Sequence, residues 1–572
     1  MSDNMIKDAK AIARSNRQTW LDSPYVDEAT KNEILGMTDE NEIAEAFSRD
    51  LAFGTAGMRG VMGPGNDRMN MYTVRRAAIG VARWLKSLGA RAVSRGAAVA
   101  CDTRNNSWEF SKHVAITLAE EGVKTYLFES PTPTPALSYA IRRLDCATGV
   151  VITASHNTKE FNGLKIYNEG GCQLPPAEVD PLVDIISATP LFNPTGKSDF
   201  EALKRAGMIV MLGPELRREY VKVVLDHSLL DDKGAKEDLS IVYTPLNGAG
   251  NLYVRETLEG AGFTRVAVVP EQEAPDGEFP TVRQPNPEIT AALAMAIDLG
   301  ARTKAHLVIG TDPDSDRMGT AIYHEGEFHN ITGNQIGVLM TDFILSRKKE
   351  AGALPKKGVF INTIVSSSLG EVIVRAYGLR IIKTLTGFKY IGEHMIRIKD
   401  ESAKGGGEEF VFGYEESNGY LIGEYARDKD AVGASLMFCE AAAYWRGRGK
   451  TLIDRLGEIY STYGYFLDHL DNYEFPGIEG MAKMAGLMEV FREKGLSMIP
   501  QVLELEDYIK GVEGIPKDNV LRFMLEGDSW IAVRPSGTEP KLKVYYSIRG
   551  EDAERAKERL ALLRSAVNTL IG

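Results

Sequence analysis

The chain has 572 residues, which is too many for one hydrophobic core, so about three to five domains are expected. Hydrophobic residues make up 44% of the chain and charged residues 26%, as is typical of a globular protein. The net charge of −12 excludes the broad basic face of a nucleic-acid-binding protein, although local clusters of Arg and Lys can still bind a small anionic substrate.

The cysteines and the N-terminus indicate where the protein works. Four scattered cysteines, with no CxxC pair, favour reduced thiols over a disulfide framework or a zinc site. The N-terminal stretch MSDNMIKDAKAIARSNRQTW lacks the apolar core of a signal peptide, and no apolar run reaches the length needed to cross a membrane. We therefore expect a cytoplasmic protein with no membrane partner.

The first fifty residues are rich in helix formers and in charges of both signs, and we expect them to form an outer helical extension of the first domain. After them, short β-branched runs alternate with longer amphipathic segments through most of the chain. This alternation is typical of α/β units in which most strands are parallel.

Three stretches of the chain repeat one pattern of strand, small polar loop, helix, glycine and second strand. They begin at Ala97, Leu239 and Gly358. Each is followed by a further apolar strand that ends in a polar loop: VVITASHN, LVIGTDPDSDR and FVFGYEESNGY. Open α/β sheets usually bind ligands at the carboxyl ends of their strands. We therefore expect three related α/β domains that bring these loops to a shared cleft.

The chain after Tyr463 follows a different pattern. A helical stretch, GIEGMAKMAGLMEVFREKGL, is predicted first, then short strands such as WIAVRPSGTEPKLKVYYSI, and finally an amphipathic helix. The predicted fold is thus three α/β domains with parallel or mixed sheets and a C-terminal α+β domain around a central cleft. The predicted domains span residues 1–208, 209–325, 326–460 and 461–572.

The loop GTDPDSDRMG predicts a metal site. Its aspartates, Asp312, Asp314 and Asp316, stand at alternate positions, so three carboxylates can converge on one hard cation. A calcium loop is excluded, because Arg317 stands where that loop needs glycine and Tyr323 where it needs glutamate. Three carboxylates leave coordination places open, which favours Mg²⁺ shared with a phosphate oxygen. The alternative is a solvated acidic turn.

The stretch RPSGTEPKLKVYY predicts a phosphate site, because cations and hydroxyls surround a backbone that glycine lets a ligand approach. The alternative is an ordinary turn between two strands. The residues concerned are Arg534, Ser536, Gly537, Thr538, Lys541 and Lys543.

Three further loops carry candidate residues. In FGTAGMRG, Arg59 can stabilise charge on a transferring phosphoryl group. In GYEESNGY, Glu415 and Ser417 suit sugar hydroxyls, with a helix N-cap as the alternative. The stretch TLTGFKY adds a loop that we include among the substrate-binding candidates: Thr386, Gly387 and Lys389.

Ser155 ends a strand in VVITASHN and is followed by His156. It lacks the G-x-S-x-G context of a hydrolase. Because the chain also has a candidate metal loop, Arg59 and a candidate phosphate site, we interpret Ser155 as a carrier of a phosphoryl group. A bound cation would withdraw charge from the phosphoserine, while Arg59 or Lys165 assists proton movement or charge stabilisation. His156 can do likewise, or can simply cap the loop.

Four motifs, in this order, resemble the signature loops of the α-D-phosphohexomutase superfamily: TASHNTKEFNGLKIY, GTDPDSDR, EESNGY and RPSGTEPKLKVY. The resemblance runs from about Ala52 to near the C-terminus. It is closest to the phosphoglucomutase branch of long chains, which includes enzymes active on phosphopentoses. Thr158 replaces the family's usual proline, and Asn418 with Tyr420 depart from the loop of members that accept mannose as well as glucose.

The resemblance implies a role for each candidate. Ser155 would be the phosphoserine, and the three aspartates would hold Mg²⁺ together with its phosphate. Arg59 and Lys165 match residues with charge-stabilising and acid–base roles, and Arg317 follows the metal loop as expected. Glu415 and Ser417 match the sugar-binding loop. The site for the substrate's non-transferring phosphate is matched by Arg534, Ser536, Gly537, Thr538 and Lys543.

The activity that these features indicate is the Mg²⁺-dependent interconversion of glucose 1-phosphate and glucose 6-phosphate, with glucose 1,6-bisphosphate as intermediate and activator. Phosphopentomutase, phosphomannomutase and glucose 1,6-bisphosphate synthase activities stay open as alternatives. A catalytically inactive sugar-phosphate-binding relative is a further alternative, disfavoured because Ser155 and all three aspartates are present. The sequence predicts neither the oligomeric state nor any regulation.

Overall fold

A computed structural model describes residues 2–54, 57–475, 477–536 and 541–572 of the chain. Gly537 and Thr538, two of the predicted phosphate-site residues, lie outside this described part. The chain divides into two compact units and passes between them five times. Unit 1 comprises Met1–Ser228, Glu237–Ala321 and Glu424–Leu436, and unit 2 comprises Leu229–Lys236, Ile322–Gly423 and Met437–Gly572.

The N-terminal segment is helical, as its composition predicts. Trp20 is buried and packs edge-on against Phe47, Tyr72 and Phe192, which ties this segment to the rest of unit 1. Asp27 and Asp39 cap the second and third helices by accepting backbone hydrogen bonds. The helices are α1 (Ser2–Asp22), α2 (Glu28–Gly36) and α3 (Glu40–Phe47).

The first sheet has seven strands in the order β1-β2-β6-β5-β3-β4-β7. Its strands are β1 (Phe53–Gly54), β2 (Gly57–Val61), β3 (Ala97–Cys101), β4 (Thr125–Phe128), β5 (Thr148–Ile152), β6 (Phe161–Asn168) and β7 (Ile209–Leu212). Its helices are α4 (Met71–Ser87), α5 (Ala90–Arg95), α6 (Ser107–Glu120), α7 (Thr134–Arg143), α8 (Pro176–Ser187) and α9 (Phe200–Arg205).

The second sheet has five strands in the order β12-β11-β10-β8-β9. Its strands are β8 (Ser240–Thr244), β9 (Arg265–Val268), β10 (Leu307–Thr311), β11 (Met318–His324) and β12 (Glu327–Asn330). The helices of this region are α10 (Pro214–Leu225), α11 (Lys233–Asp238), α12 (Gly250–Gly260), α13 (Pro270–Glu273) and α14 (Thr290–Thr303).

The third sheet has four strands in the order β14-β13-β15-β16. Its strands are β13 (Gly358–Thr363), β14 (Arg380–Thr384), β15 (Glu409–Glu415) and β16 (Gly419–Leu421). The helices of this region are α15 (Gly333–Glu350), α16 (Ser368–Ala376), α17 (Phe388–Ala403), α18 (Ala431–Arg446) and α19 (Leu452–Tyr463).

The predicted repeat is present in all three of these sheets. The first strand of each repeat pairs in parallel with the second strand on one side and with the following apolar strand on the other. Gly122, Gly262 and Gly378 end the three connecting helices with φ of 83°, 97° and 71°, a left-handed conformation that favours glycine. The loops after β5, β10 and β15 therefore leave equivalent strands.

The fourth sheet is antiparallel, in the order β17-β21-β20-β19-β18. The predicted helical stretch GIEGMAKMAGLMEVFREKGL is a helix that begins at Gly477, so this prediction is confirmed. Strand β17, which precedes the helix and pairs along its whole length with β21, was not predicted. Its Asp and Asn residues have weak strand propensity, which the pairing with β21 overrides. The elements are β17 (Tyr465–Glu474), α20 (Gly477–Met498), β18 (Val502–Asp507), β19 (Leu521–Leu525), β20 (Ser529–Pro535), β21 (Lys541–Gly550) and α21 (Ala553–Ile571).

The cysteines are unpaired and buried, so none forms a disulfide. Within the described ranges, no helix combines the length and the apolar character that crossing a membrane would require.

Candidate active site

Ser155 lies in a tight turn directly after β5, nearly buried and with φ of 51°. Its backbone N–H donates to Thr153 Oγ1 at 2.8 Å, which fixes the turn. Its hydroxyl donates to Asp312 Oδ2 at 2.7 Å and lies 3.2 Å from His156 Nδ1. The predicted phosphoryl carrier and the first predicted metal ligand are therefore in direct contact.

Arg104 stabilises the Ser155 turn through hydrogen bonds to its backbone. Its side chain is completely buried, and its guanidinium donates to four backbone carbonyls of the turn: those of Ser155, Asn157, Thr158 and Phe161. Its Nε lies 3.3 Å from Asp102 Oδ2, which also accepts a hydrogen bond from Thr153 Oγ1. One buried ion pair thus anchors both ends of the turn.

The acidic loop after β10 is also buried: Asp312, Asp314 and Asp316 are each at most 1% exposed. Asp312 Oδ1 accepts the backbone N–H groups of Asp316 and Arg317, both at 3.0 Å, so the loop folds around it. Thr134, at the start of α7, donates its hydroxyl to Asp314 Oδ2 at 3.0 Å. One oxygen of each aspartate lies within 4.8 Å of the others.

Two lysines face this loop. Lys165 on β6 places Nζ 2.8 Å from Asp314 Oδ2 and 3.2 Å from Asp316 Oδ2. Lys429 places Nζ 3.0 Å from Asp316 Oδ2 and 3.2 Å from Asp428 Oδ1. Buried carboxylates need such partners, because an unpaired charge away from water is strongly destabilising.

The pKa values show how the charge is shared. Burial and the charges of Asp314 and Asp316 raise the pKa of Asp312 well above its ordinary value. Burial and the Asp316 charge also oppose ionisation of Asp314, but Lys165 outweighs them and lowers its pKa. For Asp316, Lys429, Lys165 and Arg317 together overcome burial, and its pKa falls below its usual range. Asp312 is therefore the carboxylate whose ionisation most needs a further cation.

The donor set fits a hard divalent cation. Asp314 Oδ1 and Asp316 Oδ1 are buried and accept no hydrogen bond from the part of the chain that the structure describes. Orphaned carboxylate oxygens close to one another are the ligands that Mg²⁺ prefers. Asp312, Asp314 and Asp316 would hold the ion, with Ser155 Oγ next to them.

The other predicted residues of unit 1 belong to these two loops or contact them. Arg59 on β2 donates to Asn157 Oδ1 at 2.9 Å and is exposed, so its guanidinium can reach a ligand. Arg317 forms an ion pair with Glu288. Burial, with the charges of Arg317 and Arg59, lowers the pKa of His156 well below its ordinary value, so its ring is neutral at physiological pH.

Unit 2 carries the predicted sugar-binding residues on two loops. Glu415 ends β15 and is buried, and Ser417 lies in the turn to β16, so the alternative of a helix N-cap is wrong here. Burial raises the pKa of Glu416, which accepts a hydrogen bond from Thr363 Oγ1 at 2.9 Å. The second loop leads into α17 and contains Thr386 and Gly387, which has φ of 115°. Lys389 was predicted to lie in this loop, but it is the second residue of α17 and is buried.

Of the predicted phosphate-site residues, those that the structure describes lie where β20 and β21 pair. Arg534 and Lys543 stand directly opposite each other in this antiparallel pair, and both are half-buried. Two cations opposite each other repel, so an anion bound between them is stabilising. Ser536 is also half-buried, and its backbone N–H donates to the carbonyl of Lys541 at 2.8 Å.

Sequence reasoning missed two residues of the site. Arg104 lies in CDTRNN, in the loop after β3. This loop is at the carboxyl end of a parallel strand, as are the loops after β5, β10 and β15. Lys429 belongs to RDKD, four consecutive charged residues directly before the apolar helix α18. A run of charges that is buried by its surroundings is a signal of a site.

The comparisons with known proteins agree with this geometry. Four models of the phosphoglucomutase/phosphomannomutase family match the chain in order: alpha/beta/alpha domain I at residues 50–191, domain II at 218–325, domain III at 332–463 and the C-terminal domain at 484–564. The chain belongs to this family. The matched segments contain the Ser155 turn, the acidic loop, the Glu415 turn and the Arg534–Lys543 pair in turn.

Individual relatives cover nearly the whole chain. A phosphoglucomutase of Staphylococcus epidermidis is 34% identical over 93% of this chain and 96% of its own length. A phosphoglucomutase of Staphylococcus saprophyticus is 33% identical over 94% of this chain and 98% of its own. Among solved structures, a putative phosphomannomutase from Thermus thermophilus shares the fold with a TM-score of 0.66 and 22% identity, covering 92% of this chain and all of the other.

Proposed function

We propose that this chain is a phosphoglucomutase that interconverts glucose 1-phosphate and glucose 6-phosphate by way of a phosphoserine at position 155. The observation that carries the proposal is the contact between Ser155 Oγ and Asp312 within a buried set of three carboxylates and two ammonium groups. A bound Mg²⁺ would withdraw charge from the phosphoryl group during transfer. The relatives that bear the name phosphoglucomutase support the choice of reaction.

In the proposed cycle, the bond between Ser155 Oγ and phosphorus breaks as the free hydroxyl of the sugar monophosphate bonds to the phosphorus. The hydroxyl proton passes to a base, for which the neutral ring of His156 is the candidate, and Ser155 Oγ takes up a proton as it leaves the phosphorus. The ammonium group of Lys165 and the guanidinium of Arg59 would stabilise charge during transfer. The resulting glucose 1,6-bisphosphate returns its other phosphate to Ser155. Water must be kept out meanwhile, because it would hydrolyse the phosphoserine.

We propose that unit 2 supplies recognition of the substrate. Glu415 and Ser417 suit the sugar hydroxyls, together with Thr386 and Gly387 before α17 and Lys389 in its first turn. Arg534 and Lys543 suit the phosphate that is not transferred, together with Ser536, Gly537 and Thr538. We also propose that the first three domains end at residues 208, 325 and 460. The proposed location of the protein is the cytoplasm.

The test is turnover combined with intact mass. With Mg²⁺ and a trace of glucose 1,6-bisphosphate, the protein should convert glucose 1-phosphate to glucose 6-phosphate, and the bisphosphate should add one phosphoryl group. Ser155→Ala should lose both the turnover and the added mass. Lack of turnover on glucose, mannose, ribose and deoxyribose phosphates alike would contradict the proposal, and a faster rate on a pentose or mannose phosphate would replace the substrate.

A further inference from the structure

The segment Glu424–Asp430, which we call the lysine strap, carries Lys429 to the acidic loop. It consists of turns and bends without regular helix or strand. Besides the contact of Lys429 with Asp316, the N–H of Ala431 directly after the strap donates to the carbonyl of Ser315 at 3.2 Å. A lysine on an irregular segment has four rotatable side-chain bonds and a backbone to immobilise, so its position must be set by neighbours.

Tyr167 on β6 sets the strap from one side. Its hydroxyl is fully buried and donates to Asp428 Oδ2 at 2.7 Å. The other oxygen of the same carboxylate, Oδ1, lies 3.2 Å from Lys429 Nζ. Tyr167 therefore orients Asp428, and Asp428 in turn orients the ammonium group that meets Asp316.

Arg142 on α7 fixes the first residues of the strap. Its Nη1 donates to the backbone carbonyls of Glu424 and, at 3.0 Å, of Tyr425. Ser138, one turn earlier on the same helix, accepts the N–H of Arg427 at 2.9 Å. The same helix begins at Thr134, which contacts Asp314, so α7 touches both the strap and the acidic loop.

We propose that Tyr167 and Arg142 are positioning residues, which fix the Lys429 ammonium group on Asp316 and thereby set the charge at the site of phosphoryl transfer. Neither residue contacts the acidic loop directly through the hydrogen bonds described, so each acts through the strap. The inference rests on the proposed function for its kinetic readout, but its metal-binding readout does not need that function.

The kinetic test is a double-mutant cycle. Tyr167→Phe removes one oxygen and should lower kcat about tenfold with KM within about twofold of wild type. In a Lys429→Met background, the same change should have no further effect, because the group it positions is gone. An equal loss in both backgrounds, or no loss in the wild-type background, would overturn the proposal.

Arg142 has a matched control beside it. Arg142→Met should lower kcat about tenfold or more. Arg143→Met should leave kcat unchanged, since Arg143 pairs with Glu219 in an exposed salt bridge. Equal activity of the two variants would contradict a role for Arg142, and thermal unfolding of both identifies any loss that reflects folding alone.

Calorimetric titration with Mg²⁺ alone separates this proposal from the proposed function. An ammonium group on Asp316 competes with a cation for the same carboxylate, so Tyr167→Phe and Lys429→Met should each bind Mg²⁺ about two- to fivefold more tightly. Simple loosening of the structure would weaken binding instead. Unchanged or weaker binding in Tyr167→Phe overturns the inference, whereas a wild-type protein that binds Mg²⁺ but shows no mutase activity overturns only the function.

Discussion

The acidic loop after β10 gathers three carboxylates in a fully buried setting, whereas Arg534 and Lys543 gather two cations on half-buried strand ends. In the first region, the protein itself supplies the compensating charges, Lys165 and Lys429, because buried carboxylates cannot be left to solvent. In the second region, the cations are half-exposed, so water reaches them and a bound anion can displace it. The acidic loop is therefore preorganised for phosphoryl transfer, as proposed, whereas the Arg534–Lys543 pair is suited to binding an anion.

The comparison predicts its largest effect at Asp316. Asp316→Asn leaves Lys165 and Lys429 without a carboxylate that both contact, so kcat should fall about a thousandfold. Steady-state kinetics at saturating Mg²⁺ measure this. Asp298→Asn, which changes an exposed aspartate paired with Arg302 on α14, is the control and should retain wild-type kcat. If Asp316→Asn lowers kcat less than tenfold, the buried loop is not where the chemical step takes place.

A smaller effect is expected at Arg104, where the same region holds the Ser155 turn. Arg104→Met removes the donors to four carbonyls and leaves Asp102 unpaired, so kcat should fall about a hundredfold, with a loss of stability of about 3 kcal/mol. Arg104→Lys keeps the charge but cannot reach all four acceptors, and it should be intermediate. Kinetics and chemical denaturation measure the two effects, and wild-type kcat in both variants would refute the positioning role.

The smallest effect on kcat is expected at Arg534. Arg534→Ala should raise KM about ten- to a hundredfold and leave kcat within a few-fold, because only capture of the phosphate is weakened. Added salt should raise the KM of the wild type more than that of this variant, since half-exposed charges are screened. Arg555→Ala, in an exposed pair with Glu558, is the control. If Arg534→Ala instead lowered kcat at constant KM, Arg534 would act in the chemical step, and the two regions would not differ in role.

The sequence predicted those parts of the molecule that rest on local patterns. The three repeated units are visible because strand, helix and glycine each have a local signature, and the structure reproduces all three. The alternate aspartates and the Ser155 turn are visible for the same reason. Their direct contact across 157 positions of the chain depends on sheet topology, which no local pattern contains.

The residues that were missed depend on distant partners. Arg104 donates hydrogen bonds to backbone carbonyls more than fifty positions away. Every residue has a backbone carbonyl, so the sequence does not mark which carbonyls will be its partners. Lys429 lies in a run of charges that by itself resembles a solvated turn, and only its burial against Asp316 distinguishes it. Strand β17 was missed because its partner β21 decides its conformation.

The five passages of the chain between the two units bear on how the protein is made. Unit 1 contains Glu424–Leu436, so during synthesis it stays incomplete until that segment has left the ribosome, long after the acidic loop. Until then Asp316 can pair with Lys165 but not with Lys429. Lys429 is therefore a late addition to the site, since it stands 113 positions after Asp316 in the chain.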